Sequence, residues 1–460
     1  MNLYTPAGGL FGTHVTWDDI EEDMQRELDT VAIFGPNKTA KNIGEGNGFM
    51  SRIVLIDPDW QHKDKELPEK FIVKILTQLA MQKFTSDIAK ENKIDNQFNS
   101  PEFMAAIEVH QKRVIFPFRI GLETIIWGPR KYITNLFTLN SEHKEVFEGQ
   151  LFQLHNVEVT VYEHLLKLPQ GKIPMAKIYY MKKFSESNPV KGYMIMEYLE
   201  DLKPVHIYNH VTPNAVKEIL RAKAVIEAMS LRFTPEEKKL FSENALSELF
   251  GEFFKKDIVA DMMKMFREFG DGKLTERADK MEKIIPDLMD FKWADRLADE
   301  LGMQRVLCHG DLWSMNILWR PKGDDVEMAA LIDFQTAHLG CPAEDLVRVF
   351  SACLSGKDRQ QHWEELVEVF YGYLEEEVGD MKMPYTLEQL KEAYRRFMPT
   401  GAFMIVPMIG PMFDILCKSP DEEQRKKSLD IVMEKIECLL DDLLYYHERN
   451  TRLRKGEESA

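Results

Sequence analysis

The sequence predicts an α+β fold with two lobes, a small β-rich N-terminal lobe and a mainly helical C-terminal lobe. Three observations support this prediction. Short segments with alternating apolar residues are concentrated in the first 200 residues. Helical segments that begin with a capping Ser or Thr fill most of the remainder. The change of pattern near residue 200 predicts lobes at residues 1–199 and 200–460, with a cleft between them.

The composition is that of a globular protein, and it excludes several classes of function. The chain has 460 residues, 44% of them hydrophobic and 29% charged. The net charge of -17 would repel nucleic acid and anionic membranes. The five cysteines have no CxxC spacing, so neither a disulfide framework nor a zinc site is predicted. With no signal peptide or membrane span predicted, the sequence indicates a soluble, cytoplasmic protein.

The elements of the N-terminal lobe carry clear local signals. Thr16 is predicted to cap a helix whose first turn is acidic. The segment KNIGEGNGFMSRIVLI predicts a strand, a glycine-rich turn and a second strand. The alternation in EKFIVKIL predicts a third strand.

The rest of this lobe is predicted as an insertion, a helix and two further strands. Residues 78–150 are polar and helical in tendency, so we interpret them as a helical insertion. The segment FQLHNVEVTVYEHLLKL predicts an amphipathic helix that ends at Pro169. AKIYYMKKF and GYMIMEYL predict two strands joined by a long loop.

The C-terminal lobe is predicted mainly from its helix caps. Three Ser or Thr residues stand three positions before Glu or Gln, which is the spacing of a capping box. The three pairs are Thr234–Glu237, Thr386–Gln389 and Ser419–Glu422. One β-rich segment, residues 305–334, lies among the helices with PKGDD as its hairpin turn. The tail RNTRLRKGEESA is expected to fray.

Three polar residues of this β-rich segment have a pattern that suits phosphoryl transfer. Asp311 and Asn316 are separated by four residues in a loop, and Asp333 ends the next strand. In such a set, one carboxylate orients the attacking hydroxyl, while an amide oxygen and a second carboxylate hold Mg²⁺ against the phosphates of ATP. The alternative is a polar loop without chemistry. HGD alone favours that alternative, but HGDxxxxN followed by IDF favours the site.

A second set of residues, in the N-terminal lobe, suits the ATP phosphates. Gly44, Gly46 and Gly48 lie between two predicted strands, where glycine lets backbone N–H groups approach a phosphate closely. Lys74 lies in an apolar strand and is predicted to bind the α- and β-phosphates. The alternatives are a plain hairpin turn and a lysine that extends to solvent.

Two further contacts of the nucleotide are predicted. Lys74 needs an ion-pairing glutamate from the following helix, for which Glu158 is predicted and Glu163 is the competitor. The strand end that contains Glu197 and Leu199 is predicted as a hinge whose backbone groups contact adenine. An ordinary strand end is the alternative.

The remaining polar residues near the loop are predicted to support it. His309 is interpreted as a buried imidazole that fixes the loop by hydrogen bonds. Asp345, where a helix begins, is predicted to brace the loop or cap that helix. Trp313 either packs in the core or lines the substrate site.

These segments together resemble a known family. HGDLWSMNILW followed by LIDFQTAHLGCPAEDLVR resembles the ecdysteroid-kinase-like, or CHK kinase-like, group, and is closest to its branch of unknown function. The Trp after HGDL and the Gln after IDF point to this group. It belongs with choline kinases and aminoglycoside phosphotransferases in the protein-kinase-like fold. The resemblance is strong over residues 300–350 and extends from about 40 to 440.

The resemblance implies a role for each matching residue. It implies Asp311 as the catalytic aspartate, Asn316 and Asp333 as magnesium ligands, and Lys74 with Glu158 as the pair that binds the ATP phosphates.

Departures from the protein-kinase pattern favour a small-molecule substrate. HGD replaces HRD, Gln335 stands where DFG has glycine, and no long activation segment with an APE motif follows. In the hinge, Tyr198 replaces a residue that is frequently acidic in the family.

The sequence therefore predicts an ATP- and Mg²⁺-dependent kinase that phosphorylates a hydroxyl group of a small molecule of the sterol, glycoside or amino-alcohol class. The alternative is a pseudokinase, which binds nucleotide or ligand without turnover. A quaternary ammonium substrate such as choline would need an aromatic cage. Candidates for that cage are Trp313, Trp363, Tyr371 and Tyr373. No protein partner is identified by the sequence.

Overall fold

The chain divides into two compact units, each with its own core. The computed structural model describes residues 2–3, 5–44, 51–79, 141–251, 254, 256–417 and 421–457. The first unit is Met1–Tyr162 with Ala176–Glu200, and the second is Glu163–Met175 with Asp201–Ala460. The first is built on a β-sheet and the second is mainly helical, so the α+β class predicted from the sequence is confirmed.

The first unit contains a five-stranded sheet. Its strand order is β1-β2-β3-β5-β4, and every neighbouring pair is antiparallel. The strands are β1 (Thr39–Asn42), β2 (Ser51–Asp57), β3 (Phe71–Leu76), β4 (Ile178–Lys182) and β5 (Tyr193–Glu197). The central strand β3 is buried at all of its positions, which places the side chain of Lys74 inside the unit.

Two helices accompany this sheet. α1 (Trp17–Leu28) begins at the capping box formed by Thr16 and Asp19, so the predicted cap is confirmed. α2 spans Ser141–Leu165 and therefore ends four residues before the predicted stop at Pro169. Most of the predicted insertion, residues 80–140, lies outside the described residues.

The second unit is mainly helical. Its helices are α3 (Pro213–Ser230), α4 (Pro235–Lys238), α5 (Ala245–Phe250), α6 (Lys256–Glu268), α7 (Thr275–Glu282), α8 (Ile285–Leu288), α9 (Phe291–Ala294), α10 (Leu297–Glu300), α11 (Ala343–Cys353), α12 (Gly356–Val378), α13 (Leu387–Phe403), α14 (Val406–Leu416) and α15 (Glu422–Arg454). None of the described helices combines the length and apolar composition that a bilayer span requires.

Two of the three predicted capping boxes are confirmed, and the third is wrong. Thr234 and Thr386 each accept a hydrogen bond from the backbone N–H three residues on. At α15 the cap is Asp421, whose Oδ1 accepts from the N–H groups of Glu423 and Gln424. An aspartate directly before the first helical residue satisfies two of the free N–H groups there. Ser419 itself lies outside the described residues.

Four short strands of the second unit carry the loop of interest. They are β6 (Val306–Cys308), β7 (Ile317–Lys322), β8 (Asp325–Leu331) and β9 (His338–Gly340). β7 and β8 form the predicted hairpin, and Gly323 turns it with φ +60°. β9 pairs with β6 and was not predicted, because three residues are too few to show a periodic pattern.

The long helix α15 is tied to α13 at a proline. Pro399 lies inside α13 and has no N–H, so the carbonyl of Arg395 lacks its helical donor. The amide Nδ2 of Asn450 donates to that carbonyl at 3.1 Å and to the carbonyl of Arg396 at 3.3 Å. Because α15 runs to Arg454, the expectation that the tail frays is wrong for residues 449–454.

We expect Asn450→Ala to lower the free energy of unfolding by about 1–2 kcal/mol, because the carbonyl of Arg395 loses its donor. Chemical denaturation measures this change. In a Pro399→Ala background, residue 399 regains an N–H for the same carbonyl, so the cost of Asn450→Ala should fall by about half or more. An equal cost in both backgrounds would contradict this explanation.

Candidate active site

Both carboxylate oxygens of Asp311 are held by neighbouring side chains. Oδ1 accepts from Nη2 of Arg348 at 2.7 Å, and Oδ2 accepts from Nδ2 of Asn316 at 2.8 Å. The same Nδ2 also donates to the backbone carbonyl of Asp311 at 2.8 Å. Asp311 is 4% exposed and Asn316 is 1% exposed. The carboxylate is thus fixed in direction by a guanidinium and an amide.

The residues predicted to hold Mg²⁺ lie at the same end of the β7–β8 hairpin. The N–H of Ile332 donates to the carbonyl of Asn316 at 3.0 Å. Asp333 is the next residue in the chain and therefore lies close to Asn316. Asp333 has φ +70°, a left-handed conformation that aspartate adopts more readily than most non-glycine residues.

The donor set fits a hard divalent cation. Nδ2 of Asn316 donates to Asp311, so Oδ1 of the same amide faces away from that carboxylate. This buried Oδ1 has no hydrogen-bond partner among the described residues. A carboxylate from Asp333 and an amide oxygen from Asn316 are ligand types that Mg²⁺ prefers. A buried acceptor of this kind is costly unless a ligand or water satisfies it.

The loop before Asp311 has a constrained backbone. Gly310 has φ +80°, and a Cβ on this residue would lie 2.4 Å from the carbonyl oxygen of Thr336. No other residue type fits there without rearrangement. The hydroxyl of Thr336 donates to the carbonyl of His309 at 2.9 Å, which joins the loop to the segment after β8.

His309 fixes the loop from within. Its Nε2 lies 3.0 Å from the carbonyl of Ile332, and its Nδ1 accepts from the N–H of Asp311 at 3.3 Å. These contacts fit an imidazole that carries its hydrogen on Nε2. The structure therefore places His309 as a link between the loop and the end of β8, where Asp333 lies.

Asp345 holds the same loop through its backbone. Its Oδ2 accepts from the N–H of His309 at 2.8 Å, and its Oδ1 accepts from the N–H of Gly310 at 3.0 Å. The cap position of α11 is occupied by Pro342, and Asp345 lies within the first turn. Of the two roles considered for Asp345, the geometry matches the bracing of the loop.

A buried ion pair lies next to the loop on β9. Nε2 of His338 is 2.9 Å from Oε2 of Glu344, and its Nδ1 is 2.8 Å from the carbonyl of Thr336. Burial by itself lowers the pKa of His338, but the carboxylate of Glu344 outweighs burial and raises it to about 9. Both ring nitrogens therefore donate, and His338 is cationic at neutral pH.

Stability should fall as the pH rises through the titration of His338. Its folded-state pKa of about 9 lies above its ordinary value of 6.5. The contribution of the pair is then fully present below about pH 6.5 and lost by about pH 9, and it amounts to about 3 kcal/mol. We expect the difference in unfolding free energy between wild type and Glu344→Gln to shrink by about that amount over this range. A difference that is independent of pH would count against the ion pair.

Lys74 forms a buried ion pair in the first unit. Its Nζ lies 2.7 Å from both carboxylate oxygens of Glu158. Lys74 is 8% exposed and Glu158 is 1% exposed. Glu163 is exposed, so the structure selects Glu158 as the partner of Lys74.

Contacts of α2 set the position of Glu158. The side chain of Asn156 donates to the carbonyl of Phe184 at 3.0 Å and accepts from its N–H at 2.9 Å. Nε2 of His155 lies 2.9 Å from the carbonyl of Lys182, at the end of β4. These bonds fix the helix just before Glu158, which accounts for the bidentate geometry at Lys74.

The other predicted nucleotide contacts are less fully described. The N–H of Gly44 donates to Oδ1 of Asn42 at 3.2 Å. Gly46 and Gly48 lie outside the described residues. Glu197 ends β5, and its Oε2 accepts from the N–H of Lys177 at 3.1 Å, while Leu199 follows the strand and is half-buried. The roles of these residues toward ATP stay predictions.

Three of the four aromatic residues considered for an ammonium cage already have an arginine close to the ring. An aromatic ring that already contacts one cation binds a second cation less strongly. The distances from Cζ to the ring centroid are 5.7 Å for Arg348 and Trp313, 5.3 Å for Arg395 and Trp363, and 3.9 Å for Arg221 and Tyr373.

Three residues that lie at or near the loop in the structure had no role predicted from the sequence. Arg348 contacts Asp311, and Lys223 and Glu227 are linked to Asp345. Arg348 follows Asp345 by three residues, a helical spacing that places both on one face. Lys223 and Glu227 are four residues apart in the apolar segment AKAVIEAM. This spacing is a signal from which their buried ion pair could have been predicted.

Two curated relatives from Caenorhabditis elegans match part of the chain. One, named "Uncharacterized oxidoreductase dhs-27", is 26% identical over 290 residues, which cover 61% of this chain and 34% of that protein. The other, named "Uncharacterized kinase-like protein D1044.1", is 22% identical over 292 residues, which cover 62% of this chain and 75% of that protein. The chain thus spans about a third of the first relative.

Solved structures show a distant similarity over most of the chain. A microcompartment-associated aminopropanol kinase has a TM-score of 0.41 and 12% identity, covering 93% of this chain and 99% of its own. An ethanolamine kinase of Plasmodium vivax has a TM-score of 0.39 and 12% identity, covering 93% of this chain and 90% of its own. Both TM-scores lie below 0.5, so the similarity is distant.

A family model covers nearly the whole sequence. The model is DUF1679, described as "Uncharacterized oxidoreductase dhs-27", and it matches residues 3–115 and 131–451. Both ion-paired sets described above, around Asp311 and around Lys74, fall within the matched residues. The chain belongs to the DUF1679 family.

Proposed function

We propose that this protein is an ATP- and Mg²⁺-dependent kinase that phosphorylates a hydroxyl group of a small molecule. The observation that carries the proposal is the buried set of Asp311, Asn316 and Asp333 at one end of the β7–β8 hairpin. Asn316 uses its amide N–H₂ to orient Asp311 and keeps a buried oxygen that has no partner in the described part of the chain. This is the division of labour that phosphoryl transfer requires.

Each residue of the set has a distinct task in this proposal. Asp311 orients the acceptor hydroxyl and accepts its proton through the carboxylate that Arg348 and Asn316 hold in place. Asn316 and Asp333 would hold Mg²⁺, which neutralises charge on the ATP phosphates when bound. His309 and Asp345 fix the loop, so the carboxylate of Asp311 needs no rearrangement before transfer.

The buried pair of Lys74 and Glu158 supports nucleotide binding. Burying a lysine costs free energy unless it has a partner of opposite charge, and Glu158 provides that partner and directs Nζ. In the proposal, Lys74 binds the α- and β-phosphates, Gly44, Gly46 and Gly48 cover the phosphates, and the backbone at Glu197 and Leu199 contacts adenine. The curated relative named as kinase-like is consistent with this assignment.

The described strands give no support for extending the oxidoreductase name of the other relative to this chain. Dinucleotide-binding folds are built from parallel strands with helical crossovers. Every strand pair in the described part of this chain is antiparallel. We therefore propose that the chain belongs to the CHK kinase-like branch, which its HGDLWSMNILW segment resembles.

The surroundings of Asp311 favour an acceptor without a quaternary ammonium group. Arg348 contributes a positive charge next to Asp311 and lies over Trp313. The indole N–H of Trp313 is buried and has no hydrogen-bond partner among the described residues, so it is a donor available to an acceptor oxygen. Within the sterol, glycoside and amino-alcohol classes, these features favour the first two. A cytoplasmic location remains part of the proposal.

Acceptor-dependent formation of ADP from Mg-ATP tests this function. The purified protein is incubated with Mg-ATP and a panel of sterols, glycosides and amino alcohols. We expect ADP formation that rises with at least one acceptor and stops when Mg²⁺ is chelated. Binding of ATP without any acceptor-dependent turnover would favour the pseudokinase instead.

A further inference from the structure

A chain of buried charged groups begins on α3 and ends at the loop of Asp311. Nζ of Lys223 lies 2.6 Å from Oε1 of Glu227 and 3.0 Å from Oδ2 of Asp345. The hydroxyl of Tyr385 donates to the other oxygen of Glu227. Lys223 and Asp345 are each 2% exposed, and Glu227 is fully buried. Such groups are stable in the interior only when each is paired.

Lys223 is the group that allows Asp345 to be charged. Burial alone would raise the pKa of Asp345, but the ammonium of Lys223 and the N–H of His309 hold it below its usual range. As a carboxylate, Asp345 offers one oxygen to each of two backbone N–H groups, those of His309 and Gly310. A protonated carboxyl has one acceptor oxygen fewer and would release one of these N–H groups.

The two N–H groups matter because they hold a glycine backbone that is otherwise free to change its conformation. Gly310 adopts φ +80°, and a Cβ on this residue would lie 2.4 Å from the carbonyl oxygen of Thr336. A glycine in this conformation can relax to many others once its N–H is released. Asp311 is the next residue, so any relaxation at Gly310 changes the direction of its carboxylate.

We infer that Lys223 is a positioning residue for the reaction, acting through Asp345 and the backbone of Gly310 on the carboxylate of Asp311. This inference rests on the proposed kinase function. If Lys223 only stabilised the fold, its replacement would lower the unfolding temperature without a selective effect on the loop. The two roles therefore differ in which amides exchange and in how substitutions combine.

The test on the free protein is amide hydrogen exchange, which needs no turnover. Lys223→Met removes the charge but keeps the chain length, and Lys223→Arg keeps the charge. In Lys223→Met we expect the amides of His309 and Gly310 to exchange about tenfold faster or more. Lys223→Arg should restore most of the protection. Lys217→Met, on the same helix but partly exposed, is the matched control and should exchange as wild type does.

The test on the reaction is a double-mutant cycle with Asp345→Asn. Lys223→Met alone should lower kcat by roughly tenfold or more, with KM for ATP changed by less than about twofold. If Lys223 acts through Asp345, adding Lys223→Met to Asp345→Asn should cost less than about twofold further. Should Lys223→Met not accumulate as folded protein, Tyr385→Phe removes only the hydroxyl at Glu227 and should produce a smaller loss of protection at the same two amides.

Two results would overturn the inference. One is unchanged exchange at His309 and Gly310 in folded Lys223→Met or, in its place, Tyr385→Phe. The other is a full, additive loss of kcat when Lys223→Met is combined with Asp345→Asn. A wild-type protein without phosphotransfer would refute the proposed function, while the exchange measurement would still decide whether Lys223 holds the loop.

Discussion

Asp311→Asn should lower kcat by about 10²–10⁴-fold, because the acceptor hydroxyl loses the carboxylate that orients it and takes its proton. The affinity for ATP should change little, since Asp311 is not assigned a contact with the nucleotide. Initial rates at saturating Mg-ATP, together with ATP binding by calorimetry, measure the two effects separately.

Asp324→Asn is the matched control for this experiment. It makes the same chemical change in the exposed turn of the β7–β8 hairpin and should leave kcat as it is in wild type. An asparagine at 311 has one acceptor oxygen, so it can satisfy Arg348 or Asn316 but not both. The unfolding midpoint is therefore measured in parallel. Equal kcat in wild type and folded Asp311→Asn would remove Asp311 from the mechanism.

Lys74→Met should have two large effects, one on stability and one on ATP. Removing one partner of a buried ion pair leaves Glu158 as an uncompensated charge, which costs about 3–5 kcal/mol. Loss of a charged hydrogen bond to phosphate should weaken ATP binding by about 10–150-fold. Denaturation curves and ATP titrations of the same preparation measure both.

A second substitution separates the two effects. In Lys74→Met with Glu158→Met, no buried charge is left, so most of the stability should return. The affinity for ATP should stay low, because the lysine is still missing. Lys70→Met, just before β3 and exposed, is the control for a lost positive charge. Recovery of ATP binding in the double variant would show that Lys74 serves only the fold.

Local patterns were sufficient to predict the sheet, the hairpin and the capped starts of α1, α4 and α13. β3 is a run of apolar residues with a single lysine, and such a lysine in a buried strand implies a partner of opposite charge. That partner was predicted to be Glu158 with Glu163 as the competitor, and the ion pair in the structure selects Glu158. Thr16, Thr234 and Thr386 were found because a cap and its helix are adjacent in sequence.

Contacts between distant segments were not predictable in the same way. β9 exists because Cys308 pairs with His338 across an intervening hairpin, and three residues carry no periodic signal. Arg348 reaches Asp311, and Lys223 reaches Asp345, only after α11 and α3 have packed against the loop. Charged residues in apolar helices were the available signal, but their partners depend on tertiary structure.

The central claim is that this chain transfers the γ-phosphoryl group of ATP to a small-molecule hydroxyl. The most direct measurement follows labelled γ-phosphate from ATP onto the acceptors of the panel, with mass spectrometry to locate the modified oxygen. We expect one acceptor to gain a single phosphoryl group on a hydroxyl oxygen, in step with ADP, and Asp311→Asn to abolish this product. ATP that is bound but never transferred to an acceptor, or label that is released only as free phosphate, would contradict the account.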